Sequence, residues 1–125
     1  DGGGRAVHLQ RDRCPRFGGF CEQWDILVTP ASQHPPFPVE KRYVDEINGI
    51  KMETYVDWLL IPSIITMTGL PCVSIPCGFN KAGHPIGLQL VGPPRGEAKL
   101  LSAAHLVEQL LGQASKVPLD PIVRH

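Results

Sequence analysis

A cysteine and a histidine are the residues of this sequence that come nearest to a nucleophile and its base. Cys77 lies in an apolar run and His84 follows it, and a cysteine needs only a nearby base to attack a carbonyl carbon. No signature of a cysteine hydrolase surrounds either residue, so His84 is better explained as a turn residue. The sequence also contains no G-x-S-x-G turn, no phosphate-binding loop and no H-E-x-x-H pair. We therefore predict no catalytic residue within this chain.

The four cysteines do not have the spacing of a metal site. Cys14 and Cys21 lack C-x-x-C spacing, and no pair of histidines follows them at the spacing of a zinc finger. Cys72 and Cys77 lie in one strand-like run whose geometry directs their side chains to opposite faces, so they cannot form a disulfide there. We predict free thiols, no metal and no cofactor.

The charge balance argues against a nucleic-acid partner. The 12 basic side chains are matched by 12 acidic ones, whereas a nucleic-acid binder normally carries a basic excess. Pro62 and Ser63 interrupt the longest apolar stretch well before the ~18 residues that a membrane span requires. A charged-then-apolar signal segment is absent as well, so we predict a cytoplasmic chain with no membrane partner. The first residue is Asp1 rather than Met, which favours a piece of a longer chain.

Hydrophobic periodicity and turn residues predict an α/β chain in which helices cover a mixed sheet. Residues 80–85 are turn formers between two apolar runs, which indicates an antiparallel hairpin. Pro62 must either kink the first helix or open a second helical piece, 63–68, that ends at Gly69. The predicted elements, within one partial domain spanning 1–125, are strands at about 25–29, 72–79 and 86–91 and helices at about 52–61 and 97–111.

Four segments of the sequence carry motifs that occur in a fixed order. Residues 24–30 read WDILVTP and fit D-x-L-x-T-P, and residues 66–79 contain TGLPCVSIPCGF, which fits TGLP-x-x-S-x-P-x-G-F. Residues 83–92 read GHPIGLQLVG and fit G-x-P-x-G-L-Q-x-x-G, while Glu97 to Glu108 fit the helix pattern E-x-x-L-L-x-x-A-x-x-x-E. In order and spacing these motifs resemble those of the amidase signature family, over about residues 24–112.

The resemblance implies an α/β amidase fold and chemistry at the carbon–nitrogen bond of an amide. Members of the family use a serine nucleophile, a bridging serine and a lysine, which lie in the family's N-terminal half. This sequence contains no Ser-Ser pair and no Ser-Gly-Gly. It therefore looks like the C-terminal third of an amidase, inactive by itself, which supplies core and a wall of the substrate pocket. The alternative is a non-catalytic subunit or interaction module with an amidase-like fold.

The resemblance also suggests substrate-binding residues at Trp58, Leu59, Thr66 and Gly69. In the tRNA-linked amidotransferase branch of the family, a pocket aspartate precedes the glycine of the TGLP-like segment by about ten residues. Here that count reaches Leu59, with Asp57 two residues earlier. The departure indicates a small hydrophobic amide rather than an aminoacyl-tRNA, and the open alternative is that Trp58 and Leu59 are ordinary core. The implied partners are the amide, the rest of the parent amidase chain and, as an open alternative, a second copy in a homodimer.

Overall fold

A three-stranded antiparallel sheet is the centre of the structure, a computed structural model that describes Phe20 and residues 23–116. Along the chain, the elements are β1 (Leu27–Pro30), β2 (Glu46–Ile47), β3 (Ile50–Lys51), a 3-10 turn (Asp57–Leu59), α1 (Leu60–Thr68), β4 (Cys72–Phe79), β5 (Pro85–Val91), α2 (Glu97–Leu111) and a second 3-10 turn (Ala114–Lys116). The strand order in the central sheet is β1-β5-β4, and β2 pairs with β3 in a separate ribbon. All of these described pairings are antiparallel.

The predicted hairpin is confirmed, because β4 and β5 pair antiparallel from one end to the other. The side chain of Asn80 closes the turn, since its Oδ1 accepts hydrogen bonds from the backbone N–H groups of Ala82 (3.0 Å) and His84 (2.8 Å). The register shifts between Pro76 and Gly78, which gives β4 one extra residue. A proline suits this position because β4 is an edge strand of the described sheet and Pro76 has no N–H to donate.

Helix α2 packs on β4 and β5 and forms the core with them. The buried cluster contains Ile75 and Leu90 from the sheet and Leu100 and Ala104 from α2. Leu100 and Ala104 lie four residues apart, so they share one face of the helix and meet the sheet together. The predicted α/β fold class and the predicted bounds of this helix are both confirmed.

The first strand differs from its prediction at both ends, since it spans Leu27–Pro30 instead of 25–29. It pairs with β5, where Leu27 lies opposite Val91. Asp25 precedes the strand and forms an ion pair with Lys99 of α2, so this residue ties the two layers together instead of extending the sheet.

The predicted helix at 52–61 is wrong over its first half, because helical structure begins only at Asp57. The backbone N–H of Met52 donates to the carbonyl of Asp45 (2.8 Å), which keeps Met52 beside the β2–β3 ribbon. Pro62 lies in the first turn of α1, where its missing N–H would have no partner within the helix. It therefore opens a helix rather than kinking one, and that helix ends at Gly69 as predicted.

The β2–β3 ribbon was missed, although its turn has a clear sequence signal. Asn48 and Gly49 have φ values of 51° and 79°, which is the pattern of a two-residue type I′ turn. The strands are only two residues each, too short for apolar alternation to reveal them.

Cys14 and Cys21 lie outside the described residues, whereas Cys72 and Cys77 are both free thiols. Among the described helices, none combines the length and the apolar character needed to span a membrane.

Candidate functional site

An open cavity of about 580 Å³ lies beside the hairpin. It is lined by residues 32–37, by Trp58, by Asn80 and by residues 85–87 at the start of β5. Its volume is in the range of small-molecule binding sites, which run from about 300 to 1,000 Å³.

Aromatic rings form one wall of this cavity. The rings of Phe37 and Trp58 are perpendicular (90°), with centroids 5.3 Å apart. Behind this wall, Tyr55, which does not line the cavity, meets Trp58 at 89° and 6.1 Å, and in the wall His34 meets Phe37 at 68° and 6.3 Å. Edge-to-face pairs of this kind are favourable, so each ring restrains the orientation of the next.

Residues 32–37 are held in place near their start by two hydrogen bonds. The backbone N–H of Ala31 donates to the carbonyl of Gly87 (3.0 Å), which joins the start of the segment to β5. The Oε1 atom of Gln33 accepts a hydrogen bond from the backbone N–H of Ile61 (3.0 Å) in the first turn of α1. That N–H has no partner within the helix, so the glutamine satisfies it and fixes the segment at the same time. The prolines that follow limit the backbone further.

Gly87 allows the close approach between this segment and β5. A Cβ atom at position 87 would lie 2.9 Å from the Cβ of Ala31 and 3.2 Å from the Oγ of Ser74. The absence of a side chain at Gly87 therefore lets the two segments lie this close together.

The lining of the cavity is neutral apart from one histidine. No Asp, Glu, Lys or Arg is among the described residues that line it. The Nδ1 atom of His34 lies 2.6 Å from the carbonyl oxygen of Pro35. This nitrogen therefore carries a proton and donates it, so Nε2 is the acceptor when the ring is neutral. The Nε1 atom of Trp58 is buried and has no acceptor among the described residues.

Asp57, the acidic residue next to Trp58, is engaged elsewhere. Its carboxylate accepts hydrogen bonds from the backbone N–H (2.8 Å) and the hydroxyl (2.8 Å) of Thr54. These two bonds favour the charged form and hold the pKa of Asp57 below its ordinary value. Asp57 does not line the cavity.

Of the four residues predicted to bind substrate, Trp58 alone lines the cavity. Leu59 is half-buried in the 3-10 turn, and Gly69 ends α1 with φ of 66°. Thr66 is exposed, and its hydroxyl donates to the carbonyl of Pro62 (2.8 Å). The structure therefore does not bring the four together around this cavity, and their binding roles stay predictions.

Sequence reasoning missed the segment 32–37 and the start of β5 as cavity walls. The run of prolines after β1 was a usable signal, because prolines favour an extended, stiff segment that can form a wall beside the strand it follows. Among the described residues, no group of three His, Cys, Asp or Glu side chains is placed to hold a metal ion.

The described residues thus form a three-stranded sheet on which α2 packs, with a largely apolar cavity beside the hairpin, and comparison with known proteins gives the family. Residues 6–101 match the family model described as Amidase, so the chain belongs to the amidase family. The resemblance inferred from the motifs is confirmed.

The chain is similar in sequence to the A subunits of glutamyl-tRNA(Gln) amidotransferases. That of Synechococcus sp. (strain CC9902) is 40% identical over 108 residues, which are 84% of this chain and 21% of the relative. That of Alkaliphilus metalliredigens (strain QYMF) is 38% identical over 97 residues, which are 78% of this chain and 18% of the relative. The chain spans about a fifth of the length of the curated relatives that it matches.

Solved structures of the family share the fold. A bacterial aryl acylamidase of the amidase signature enzymes gives a TM-score of 0.74 at 19% identity, over 92% of this chain and 24% of that one. The glutamyl-tRNA(Gln) amidotransferase A subunit from Thermotoga maritima gives 0.55 at 26% identity, over 77% of this chain and 20% of that one. The likeness to the acylamidase shows the fold alone.

Proposed function

We propose that this chain forms a wall of the substrate pocket of an amidase that acts on the carbon–nitrogen bond of a small hydrophobic amide. The observation that carries the proposal is the cavity, whose wall is aromatic and whose lining is neutral apart from His34. An apolar lining with a few polar groups is typical of sites that bind small organic molecules. In this proposal the nucleophile comes from another part of a longer protein, and the 125-residue chain alone hydrolyses no amide.

The position of Asp57 supports a hydrophobic amide over an aminoacyl substrate. A cationic amine that gives up part of its hydration on entering this open cavity would find no anionic partner among the described lining residues, and desolvating an unpaired charge is costly. The carboxylate of Asp57 accepts two hydrogen bonds from Thr54 and lies outside the lining. A neutral substrate has no such requirement.

A second candidate is the subunit of a tRNA-linked amidotransferase. The 40% identity with such a subunit of Synechococcus favours it. In this case the longer protein would transfer an amide nitrogen in complex with partner subunits. The non-catalytic subunit with an amidase-like fold is the third hypothesis, and a coding sequence that starts immediately before Asp1 would favour it.

The experiment compares the longer protein that carries this chain with the chain alone. Each is incubated with small neutral amides and, separately, with glutamine and an acceptor, and each is treated with a serine-reactive fluorophosphonate. We expect the longer protein to hydrolyse the neutral amides and to be labelled, and the chain alone to do neither. Turnover with glutamine and an acceptor but with no neutral amide would support the amidotransferase instead. Turnover by the chain alone that is lost in Cys77→Ala would place a nucleophile within it.

The role of Trp58 is tested in the same longer protein. Trp58→Ala is expected to raise KM for neutral amides several-fold while fluorophosphonate labelling persists, because the pocket wall changes and the nucleophile does not. Trp24→Ala is the matched control, since Trp24 is exposed and lies outside the cavity. An unchanged KM in Trp58→Ala would contradict the assignment of this cavity as the pocket.

A further inference from the structure

The perpendicular rings of Phe37 and Trp58 form a corner in the cavity wall. Their planes meet at 90° with centroids 5.3 Å apart, and Tyr55 restrains the indole at a second right angle. A flat aromatic guest that stacks on the inner side of one ring of this corner can meet the other ring edge to face. Both arrangements are favourable for aromatic pairs, and one guest ring can satisfy them at once. A saturated ring of the same size has no π face, so it contacts these rings only through its C–H groups.

The rest of the lining favours flat apolar contact together with a few polar groups. Pro35, Pro36 and Pro85 line the cavity and have no backbone N–H, so this part of the wall offers carbon surface. Hydrogen-bond donors come from side chains instead, namely the carboxamides of Gln33 and Asn80. An amide group attached to an aromatic ring presents a carbonyl oxygen that such donors can bind.

The lining also discriminates against charge. Because no Asp, Glu, Lys or Arg is among its described residues, a charged guest would give up part of its hydration there and gain no opposite charge. His34 is the one titratable side chain among these described lining residues, and its Nδ1 proton is already donated to the carbonyl of Pro35.

From these three observations we infer that the cavity selects a neutral aromatic ring. The amides that it binds are therefore of the anilide or benzamide type. The inference rests on the proposed function and narrows it from hydrophobic amides in general to aromatic ones. Phe37 and Trp58 are its specificity-determining residues.

The test measures binding by the full chain with ligand-observed NMR, which requires no turnover. The probes are acetanilide, N-cyclohexylacetamide and 4-acetamidobenzoate, which are respectively aromatic, saturated and anionic. We expect acetanilide to bind roughly 2- to 10-fold more tightly than the cyclohexyl amide, from the usual strength of aromatic pairs. The benzoate is expected to bind more weakly than acetanilide.

Two variants, each with one phenylalanine changed to leucine, test whether the aromatic preference arises in the cavity. Phe37→Leu is expected to bring the affinities for acetanilide and the cyclohexyl amide close together. Phe79→Leu is the control, because Phe79 is an exposed aromatic residue that does not line the cavity. It should leave the preference unchanged.

Equal affinities for the aromatic and the saturated amide on the unaltered chain overturn the inference, and this comparison depends on no variant. Binding of neither amide overturns it as well, as does a preference that Phe79→Leu abolishes and Phe37→Leu retains. Failure of the proposed function is separate, since it is read from hydrolysis by the longer protein. If the chain prefers aromatic amides but the longer protein hydrolyses none, the inference about the cavity stands and the proposed amidase activity is wrong.

Discussion

At the scale of single residues, the hydrogen bonds of Asp57 decide what its carboxylate does. The group accepts from the backbone N–H and the hydroxyl of Thr54, three residues earlier, and so closes the turn over residues 54–57 that leads into the 3-10 turn. The same two bonds lower its pKa, the backbone bond being the larger cause. A carboxylate held in this way stabilises the beginning of the 3-10 turn that carries Trp58.

The pKa of Asp57 gives a pH-dependent prediction. Because the pKa is lowered in the folded chain, the stabilisation is fully present above the ordinary value of 3.8 and is lost as the pH falls through the lower folded value. We expect Asp57→Asn to lower the urea midpoint at about pH 6 and to have a smaller effect at about pH 2.5, which is below the ordinary pKa of 3.8. Thr54→Ala removes one of the two donors, the hydroxyl. It should therefore lower the urea midpoint at about pH 6 by only part of the amount that Asp57→Asn does. A midpoint difference that is the same at both pH values would contradict the assignment.

The contact at Gly87 gives a second prediction. Gly87→Ala is expected to destabilise the chain by about 1–3 kcal/mol, because its Cβ would overlap the Cβ of Ala31. The double variant with Ala31→Gly makes room for the new methyl group. Urea unfolding should therefore show a favourable coupling of at least about 0.5 kcal/mol between the two changes. Additive effects would show that the two positions do not meet.

At the scale of elements, the ends of α1 and α2 follow one rule. Each helix ends at a glycine in the left-handed region, with φ of 66° at Gly69 and 58° at Gly112. The N–H of Gly69 donates to the carbonyl of Thr66 (3.2 Å), and that of Gly112 to the carbonyl of Glu108 (2.9 Å). Residues other than glycine are disfavoured at this φ because their Cβ atom crowds the backbone.

This rule gives a paired prediction that also tests a site residue. Gly69→Ala and Gly112→Ala should each cost about 1–2 kcal/mol in urea unfolding, and the Asn variants should cost less. Gly112 is the control, since substrate binding was predicted for Gly69 and not for Gly112. If Gly69→Ala also weakens acetanilide binding while Gly112→Ala does not, Gly69 acts in the site as well as in the helix end. Equal binding in both variants would leave Gly69 a structural residue.

The sequence predicted an element well when the residues that determine the element lie within a short window of the chain. The β4–β5 hairpin and α2 follow from alternation, from turn residues and from one apolar helix face, all of which are properties of short windows. The β2–β3 ribbon was missed because its strands are two residues long, and the start of α1 was misplaced because a proline in a first turn resembles a proline that interrupts a helix.

The site was less predictable than the fold for the same reason. Trp58 was named from its position just before the motif-bearing segment, and it lines the cavity, while its binding role stays a prediction. The bond from Ile61 to Gln33 joins residues 28 positions apart, and the contact of Phe37 with Trp58 also depends on the assembled fold. No local pattern encodes either.

At the scale of the whole molecule, the described residues leave much apolar surface exposed. Leu60, Ile64 and Met67 lie on one face of α1, and Leu106 and Leu110 lie on one face of α2. Strands β1 and β4 are both edges of the described sheet, so each presents unpaired backbone groups. Apolar helix faces together with open strand edges favour association with another protein surface, including a second copy of this chain.

We therefore expect the 125-residue chain, expressed alone, to self-associate with increasing concentration. Met67→Lys and Leu110→Lys should shift its mass towards the monomer in size-exclusion chromatography with light scattering, because Met67 is 75% and Leu110 is 86% exposed. Neither change should lower the free energy of unfolding by more than about 0.5 kcal/mol, as is usual for surface positions. Val39→Lys is the matched control, since Val39 is 93% exposed but stands alone in a loop, and it should leave association unchanged. Association that persists in both helix variants would assign it to the strand edges, and a monomer at every concentration would contradict the prediction.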